Sequence, residues 1–359
     1  MSAISDLLEL REAEGAFELL ERWLSERGFF EPGGESLAAD LYLGYGLSNS
    51  LRRTRSPMPP EPCDALPLAA ARVTTPGPRA GRHHRFEVGH FEPTWGPDEY
   101  RAAIEEVREA IARGDVYQVN LVQHLSAPFA GDVAALAEAL APLRALHPHP
   151  FVGDGWAVVS ASPELFLSRR GDRIRTMPIK GTRPLGDAGE LAASEKDRAE
   201  HVMIVDLERN DLSRVCLPGS VRWPELMATR ELAGVAHLVS TVEGTLRPGV
   251  GLAEALAATF PGGSVTGAPK IAALDLIASL EPVGRGASMG ALGRVYGNGD
   301  FELALTIRTF AIAADRIHLW VGGGVVWDSD PDAEVEESWT KAAPLLRALG
   351  APLALEVAR

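Results

Sequence analysis

Cysteine is almost absent. The 359 residues include two, Cys63 and Cys216. Two thiols exclude a disulfide framework and a cysteine-rich zinc site, and they suit a reducing compartment. Long apolar runs are missing too: no uninterrupted stretch reaches the roughly 18 residues of a membrane span. The opening residues carry Asp6, Glu9, Glu12 and Glu14 among their leucines, which does not read as a secretory signal. Basic residues are in deficit, 35 against 49 acidic, and the net charge of −14 argues against sequence-wide attraction to nucleic acid or anionic membrane. The expectation is a soluble cytoplasmic protein with no nucleic-acid or membrane partner. An acidic chain that takes an anionic substrate must build a local positive site from a metal or a few basic side chains.

What is present is ordinary globular composition, at a length that fits one large or two ordinary domains of about 100–200 residues. Residues 1–50 read as an acidic amphipathic helix and then a short strand around Leu41 to Leu47. Ser50 to Arg85 holds Pro57, Pro59, Pro60, Pro62, Pro67, Pro76 and Pro78 and reads as an irregular excursion. The boundary therefore falls after it: a short N-terminal region over 1–88 and a main domain over 89–359. In that domain Tyr100, Ile104, Val107 and Ile111 share a helical face, and Gly114-Asp115 ends it. Val116 to Leu125 and Trp156 to Ser160 read as strands. Helices are expected over Val133 to Leu146, Glu195 to Leu207, Leu252 to Phe260, Pro269 to Leu280 and Asp332 to Leu349. Met289 to Tyr296, Phe301 to Ala313 and Arg316 to Trp327 read as a meander. Interleaved helices and largely antiparallel strands predict an α+β fold of stacked layers.

One stretch organises the candidate chemistry. A hairpin over Glu164 to Thr176, turning at Gly171-Asp172, leads into Met177-Pro178-Ile179-Lys180-Gly181-Thr182-Arg183-Pro184. A lysine is thus delivered on a stiff, non-helical tip between two prolines. Alone, it is a solvated strand end. Glu334, Glu337 and Lys341 share one face of the closing helix, and Gly322-Gly323-Gly324 just before it allows close backbone approach. Glu200 lies on a second acidic helix. Two glutamates from separate helices can hold Mg²⁺, a hard ion that keeps waters and part of its substrate, although solvated faces with ion pairs are common. His237, in an apolar run, is either a satisfied core residue or a proton-transfer group. Arg308, read as mid-strand, calls for a carboxylate partner from protein or ligand. Gly262 to Pro269 is a glycine-rich loop opening a helix, a ready anion site but not a P-loop.

Taken together, these segments resemble the chorismate-utilising enzyme family, which includes the catalytic subunits of anthranilate and aminodeoxychorismate synthases. The matching stretches are Asp115 to Leu121, Ser162-Pro163-Glu164, Pro178 to Pro184, Glu200 to Asp211, His237 to Ser240, Phe260 to Lys270, Ile307-Arg308-Thr309, Gly322 to Gly324 and Glu334 to Lys341. The resemblance implies the layered anthranilate synthase component I-like fold, with 89–359 as a chorismate-binding catalytic domain. Gln118, where water-adding relatives have a lysine base, resembles the ammonia-adding members. Lys180, where anthranilate synthases carry a small residue, resembles aminodeoxychorismate synthase component I, whose lysine is thought to attack the chorismate ring before ammonia displaces it.

Carried over by resemblance, Lys180 is the nucleophile, Glu164 the acid for the departing C4 hydroxyl, and His237 a further catalytic residue. Glu200, Glu337 and Glu334 become Mg²⁺ ligands or close neighbours of the ion. Gly181, Thr182, Gln118, Thr266, Gly267, Arg308, Gly322, Gly323, Gly324 and Lys341 hold chorismate. Ammonia is expected from a separate glutamine amidotransferase subunit. The competing expectations are an anthranilate or 2-amino-2-deoxyisochorismate synthase and a non-catalytic chorismate-binding subunit. The chain departs from the pattern at Ser288, where relatives have Tyr or Trp. It departs again in its short N-terminal region, for which no tryptophan site is expected.

Overall fold

The computed structural model describes residues 6–54, 57–74, 85–184, 189, 195–232 and 235–351, without the side chains of 182–184, 195–197, 232 and 235. Pro76 and Pro78 of the proline-rich stretch lie outside it. The strands in chain order are β1 (Leu7–Leu10), β2 (Ala38–Leu43), β3 (Ala69–Thr74), β4 (Phe86–Val88), β5 (Glu92–Pro93) and β6 (Gln118–Gly131). Next come β7 (Phe151–Val152), β8 (Trp156–Ser160), β9 (Leu165–Arg170), β10 (Arg173–Met177), β11 (Ile179–Pro184), β12 (Arg222–Leu232) and β13 (Val235–Thr245). The last are β14 (Gly267–Ala268), β15 (Ala291–Tyr296), β16 (Phe301–Leu305), β17 (Thr309–Ala313) and β18 (Arg316–Val325).

They form two antiparallel sheets. A ten-stranded sheet runs β1-β3-β2-β15-β16-β9-β10-β13-β11, with β12 also on β13; an eight-stranded sheet runs β14-β6-β18-β17-β8-β7, with β4 and β5 also on β6. Side-chain alternation decides what covers each face. Along β18, Ile317, Leu319 and Val321 join one hydrophobic cluster, while Trp320 joins another with Leu41, Leu292 and Leu303 of the larger sheet. The second group is the core between the sheets. The first lies under the helices Val133–Leu140 and Pro331–Ala348, which contribute Leu136, Leu140, Leu345 and Leu346. The Pro97–Ala112 helix buries Tyr100, Ile104 and Val107, as its spacing predicted, against Val119, Leu121 and Val325. Burying each such side chain is worth about 1.5–3 kcal/mol.

The expected meander is instead two hairpins in different sheets. β15 and β16 pair in the larger sheet, and β17 and β18 pair in the smaller. Thr306-Ile307-Arg308 carries the chain across, so Arg308 is a crossover residue with φ +50, not a mid-strand one. Alternation hides the break because β16 and β17 are both buried. At the N-terminus, Leu7–Leu10 is a strand preceding the Ala16–Ser25 helix. Within the stretch expected to be irregular, Ala69–Thr74 forms β3, with all three alanines fully buried. Alanine is no strand signal, so its burial under neighbours was invisible. β2 pairs with β15 over Ala38 to Leu43, so the larger sheet continues through the boundary placed after residue 88.

Candidate active site

The site is built on an irregularity. β11 pairs with β13 so that Lys180 faces Leu238 and Thr182 faces His237, and the register slips at Gly181. Gly181 has φ +67, a left-handed conformation that glycine adopts without steric cost and that bulges favour. The His237 Nδ1–H donates to the Gly181 carbonyl at 3.0 Å. His237 is therefore a buried residue that braces the bulge, and burial holds its pKa below the usual range. The Thr182 backbone lies in β11, while its side chain is outside the described residues.

Lys180 is half-buried. Burial lowers its pKa and the Lys341 charge adds to that, while Glu200, Glu164 and Glu337 oppose. The amine therefore faces three carboxylates and an ammonium brought from separate parts of the chain. Glu164, just before β9, is 4% exposed and accepts from Ser264 Oγ at 2.8 Å. Burial pushes its pKa up to about 6, against Ser264, Lys180, the Ile179 N–H and Arg308. Arg308 is lowered by burial and raised by Glu164, and it makes no ion pair among the described residues.

The glycine run of β18 lies opposite Asn120, Leu121 and Val122 of β6. A Cβ at Gly322 would meet the Leu121 carbonyl at 2.0 Å. At Gly323 it would meet Lys341 Nζ at 3.1, Glu334 Oε2 at 3.3 and Glu337 Oε1 at 3.7 Å. At Gly324 it would meet Gln118 Nε2 at 2.0 and Lys180 Nζ at 3.5 Å. The closing helix and the Lys180 tip thus reach the same bare strand. Gln118 is fully buried, and neither amide atom has a partner among the described residues. Lys341 Nζ donates to the Gly322 carbonyl at 2.9 Å and pairs with Glu337 at 2.7 Å. Glu334 Oε1 accepts from Ser329 Oγ at 2.6 Å.

Among the described residues, no three Asp, Glu, His or Cys side chains are clustered as a metal cage. Glu334 and Glu337 do converge over bare Gly323, and Glu200 and Glu337 act on the same lysine. Hard carboxylate oxygens on an open cradle fit Mg²⁺, which is often held by one or two carboxylates with water and substrate.

In the glycine-rich loop, Gly267–Ala268 is β14 on β6, and the buried Thr266 hydroxyl donates to Gly262 O at 2.9 Å. Ser288 is fully buried at the crossover, its hydroxyl 3.5 Å from Thr306 O. Sequence reasoning missed Ser264, His201 and Glu208. His201 Nε2 lies 2.6 Å from Ser240 Oγ, and burial, with Lys180, pushes its pKa down to about 4. Glu208 follows Ile204 by one helical turn, and a carboxylate on an apolar helical face is the signal that could have found it.

The chain belongs to the chorismate binding enzyme family, whose pattern matches residues 45–347. It is 42% identical over 286 residues to anthranilate synthase component 1 of Thermus thermophilus, covering 76% of this chain and 60% of that one. It is 39% identical over 274 residues to aminodeoxychorismate synthase component 1 of Bacillus subtilis, covering 73% and 58%. The chain thus spans about three-fifths of the length of these relatives. Anthranilate synthase component I from Streptococcus pneumoniae shares the fold at TM-score 0.82 and 24% identity, over 94% of this chain and 89% of that one. The α+β architecture with antiparallel sheets is that of anthranilate synthase component I.

Proposed function

We propose that this chain is the catalytic subunit of an aminodeoxychorismate synthase, converting chorismate and ammonia to 4-amino-4-deoxychorismate. The observation that carries the reading is Lys180: a half-buried amine of lowered basicity beside Gln118, facing Glu164, Glu200 and Glu337. Desolvation raises the neutral fraction of a lysine and makes it a nucleophile. Lys180 attacks the ring, and Glu164, kept partly protonated by burial, gives its proton to the departing C4 hydroxyl. Ammonia then displaces the lysine; the unpartnered Gln118 amide supports its positioning there. Arg308, Lys341 and the bare backbone of Gly322 to Gly324 suit the carboxylates of chorismate. Glu200, Glu337 and Glu334 would hold Mg²⁺, which when bound supplies charge stabilisation at a ring carboxylate. His237 positions the Gly181 bulge. The "component 1" in the names of its relatives supports a separate partner, a glutamine amidotransferase that delivers the ammonia.

A second reading, an anthranilate synthase attacking at C2, draws on the comparable identity to those enzymes. Incubation with chorismate, Mg²⁺ and ammonium salt separates the two. Accumulation of aminodeoxychorismate is expected, detected as 4-aminobenzoate after a lyase is added. Lys180→Ala is expected to abolish it. Anthranilate fluorescence without added lyase, with Lys180→Ala still active, would overturn the first reading in favour of the second. Chorismate binding without turnover would leave a non-catalytic subunit.

A further inference from the structure

Glu208 is a buried carboxyl that the chemistry above leaves unused. It is 7% exposed on the inward face of the Glu195–Ser213 helix, and its Oε2 accepts from Thr176 Oγ1 at 2.9 Å. The charges that face it are Glu164 before β9, Asp211 on its own helix and Lys270 on the helix Lys270–Leu280. Lys270 is committed to Asp211 at 2.5 Å and to Thr259 O at 3.1 Å. Neither Glu164 nor Glu208 makes an ion pair among the described residues. Thr176, Glu208, Asp211, Phe166, Gly262 and Gly263 line a small cavity of about 10 Å³, room for about one water. Its wall adjoins the acid's own neighbours: Ser264, which follows Gly263, donates to Glu164, and Phe166 follows Glu164 by two residues.

We propose that Glu208 is a positioning residue for the catalytic proton, sharing one proton with Glu164 through the Thr176 hydroxyl or a single water in the cavity. Two buried carboxyls that feel each other's charge lose their protons in separate steps that belong to the pair. Burial is the first cause for each, and the steps fall near 6 and 8. Near pH 7 the pair holds one proton, resting on Glu208. In turnover that proton passes to the Glu164 carboxylate, the Glu164 O–H bond then breaks and the proton leaves with the hydroxyl as water, and solvent reloads Glu208. Lys180 and Arg308 face Glu164 and hold its ionised form in place between turnovers.

The inference rests on the reading of Glu164 as the acid, and its test has one arm that needs no turnover. Glu208→Gln keeps the acceptor for Thr176 and removes the proton. In infrared titration of the substrate-free protein, the carbonyl band of a protonated carboxyl present at pH 7 is expected to vanish in the variant. A band that persists overturns the inference. In the amination assay, the alkaline limb of kcat is expected to move about two pH units towards acid, with an unchanged unfolding midpoint. A limb that stays in place, in an enzyme that does aminate chorismate, overturns the inference and leaves the proposed function standing. A wild-type enzyme that never turns over overturns that function, and the infrared arm still decides on Glu208.

Discussion

Lys180 has its basicity set by neighbours that can be changed one at a time. The Lys341 charge lowers the Lys180 pKa alongside burial. Lys341 also pairs with Glu337, a carboxylate that raises that pKa. Removing the Lys341 charge therefore acts twice in the same direction. In Lys341→Met, the repulsion is gone and Glu337 is released to face the amine. The Lys180 pKa rises, and a smaller share of the amine is neutral at any pH below it. The acid limb of the amination profile is expected to move to higher pH, with a lower rate at pH 7. The check is kcat against pH at saturating chorismate. An acid limb that moves down instead would show that Lys341 does not set the charge state of Lys180.

At the scale of elements, the site depends on one strand that lacks side chains. A Cβ at Gly324 would lie 2.0 Å from Nε2 of the fully buried Gln118, so the amide would have to shift to make room. Gly324→Ala is expected to destabilise the fold by about 1–3 kcal/mol through overpacking. It should also cut kcat/KM for amination by on the order of tenfold or more, because a displacement of about 1 Å at a reacting group can cost a hundredfold. Urea unfolding and steady-state kinetics check the two effects; wild-type values in both would mean that the strand yields. This glycine run was legible in the sequence, as were the lysine tip, the closing helix and the helical face of Tyr100, Ile104 and Val107. Each rests on local periodicity or on residues that have few other uses. The crossover at Arg308 was not legible, because buried strands on both sides continue the same alternation. Nor was β3, whose alanines carry no strand preference. Ser264 and Glu208 were missed because their partners, Glu164 and Thr176, lie 100 and 32 residues away in sequence. Contacts of that range are set by sheet order, which local spacing does not encode.

For the molecule as a whole, the two sheets enclose histidines that the fold keeps neutral, and this ties stability to pH. His124 of β6 and His318 of β18 are 6% and 4% exposed. Their rings stack at 5.2 Å, with His124 Nε2 lying 3.0 Å from His318 Nδ1 and His124 Nδ1 lying 2.7 Å from Thr94 Oγ1. Burial pushes His124 down to about 3, helped by His318 and Arg316, and pushes His318 down to about 4, helped by Arg316. An unfolded histidine titrates near about 6.5. As pH falls below that value, the unfolded chain takes up protons that the folded protein refuses. Stability is thus intact above the unfolded pKa and declines as pH falls towards the folded ones. Each histidine contributes a slope of about 1.4 kcal/mol per pH unit over that window. His124→Gln keeps a polar group for Thr94 and removes one titrating site. It is expected to flatten the loss of stability between about pH 6 and pH 4.5 by about 1.4 kcal/mol per pH unit, whatever its effect on stability at neutral pH. Urea unfolding across that range measures the slope directly. A variant with the wild-type slope would mean that His124 is protonated within the folded protein, and that the space between the sheets accepts charge that its burial argues it should exclude.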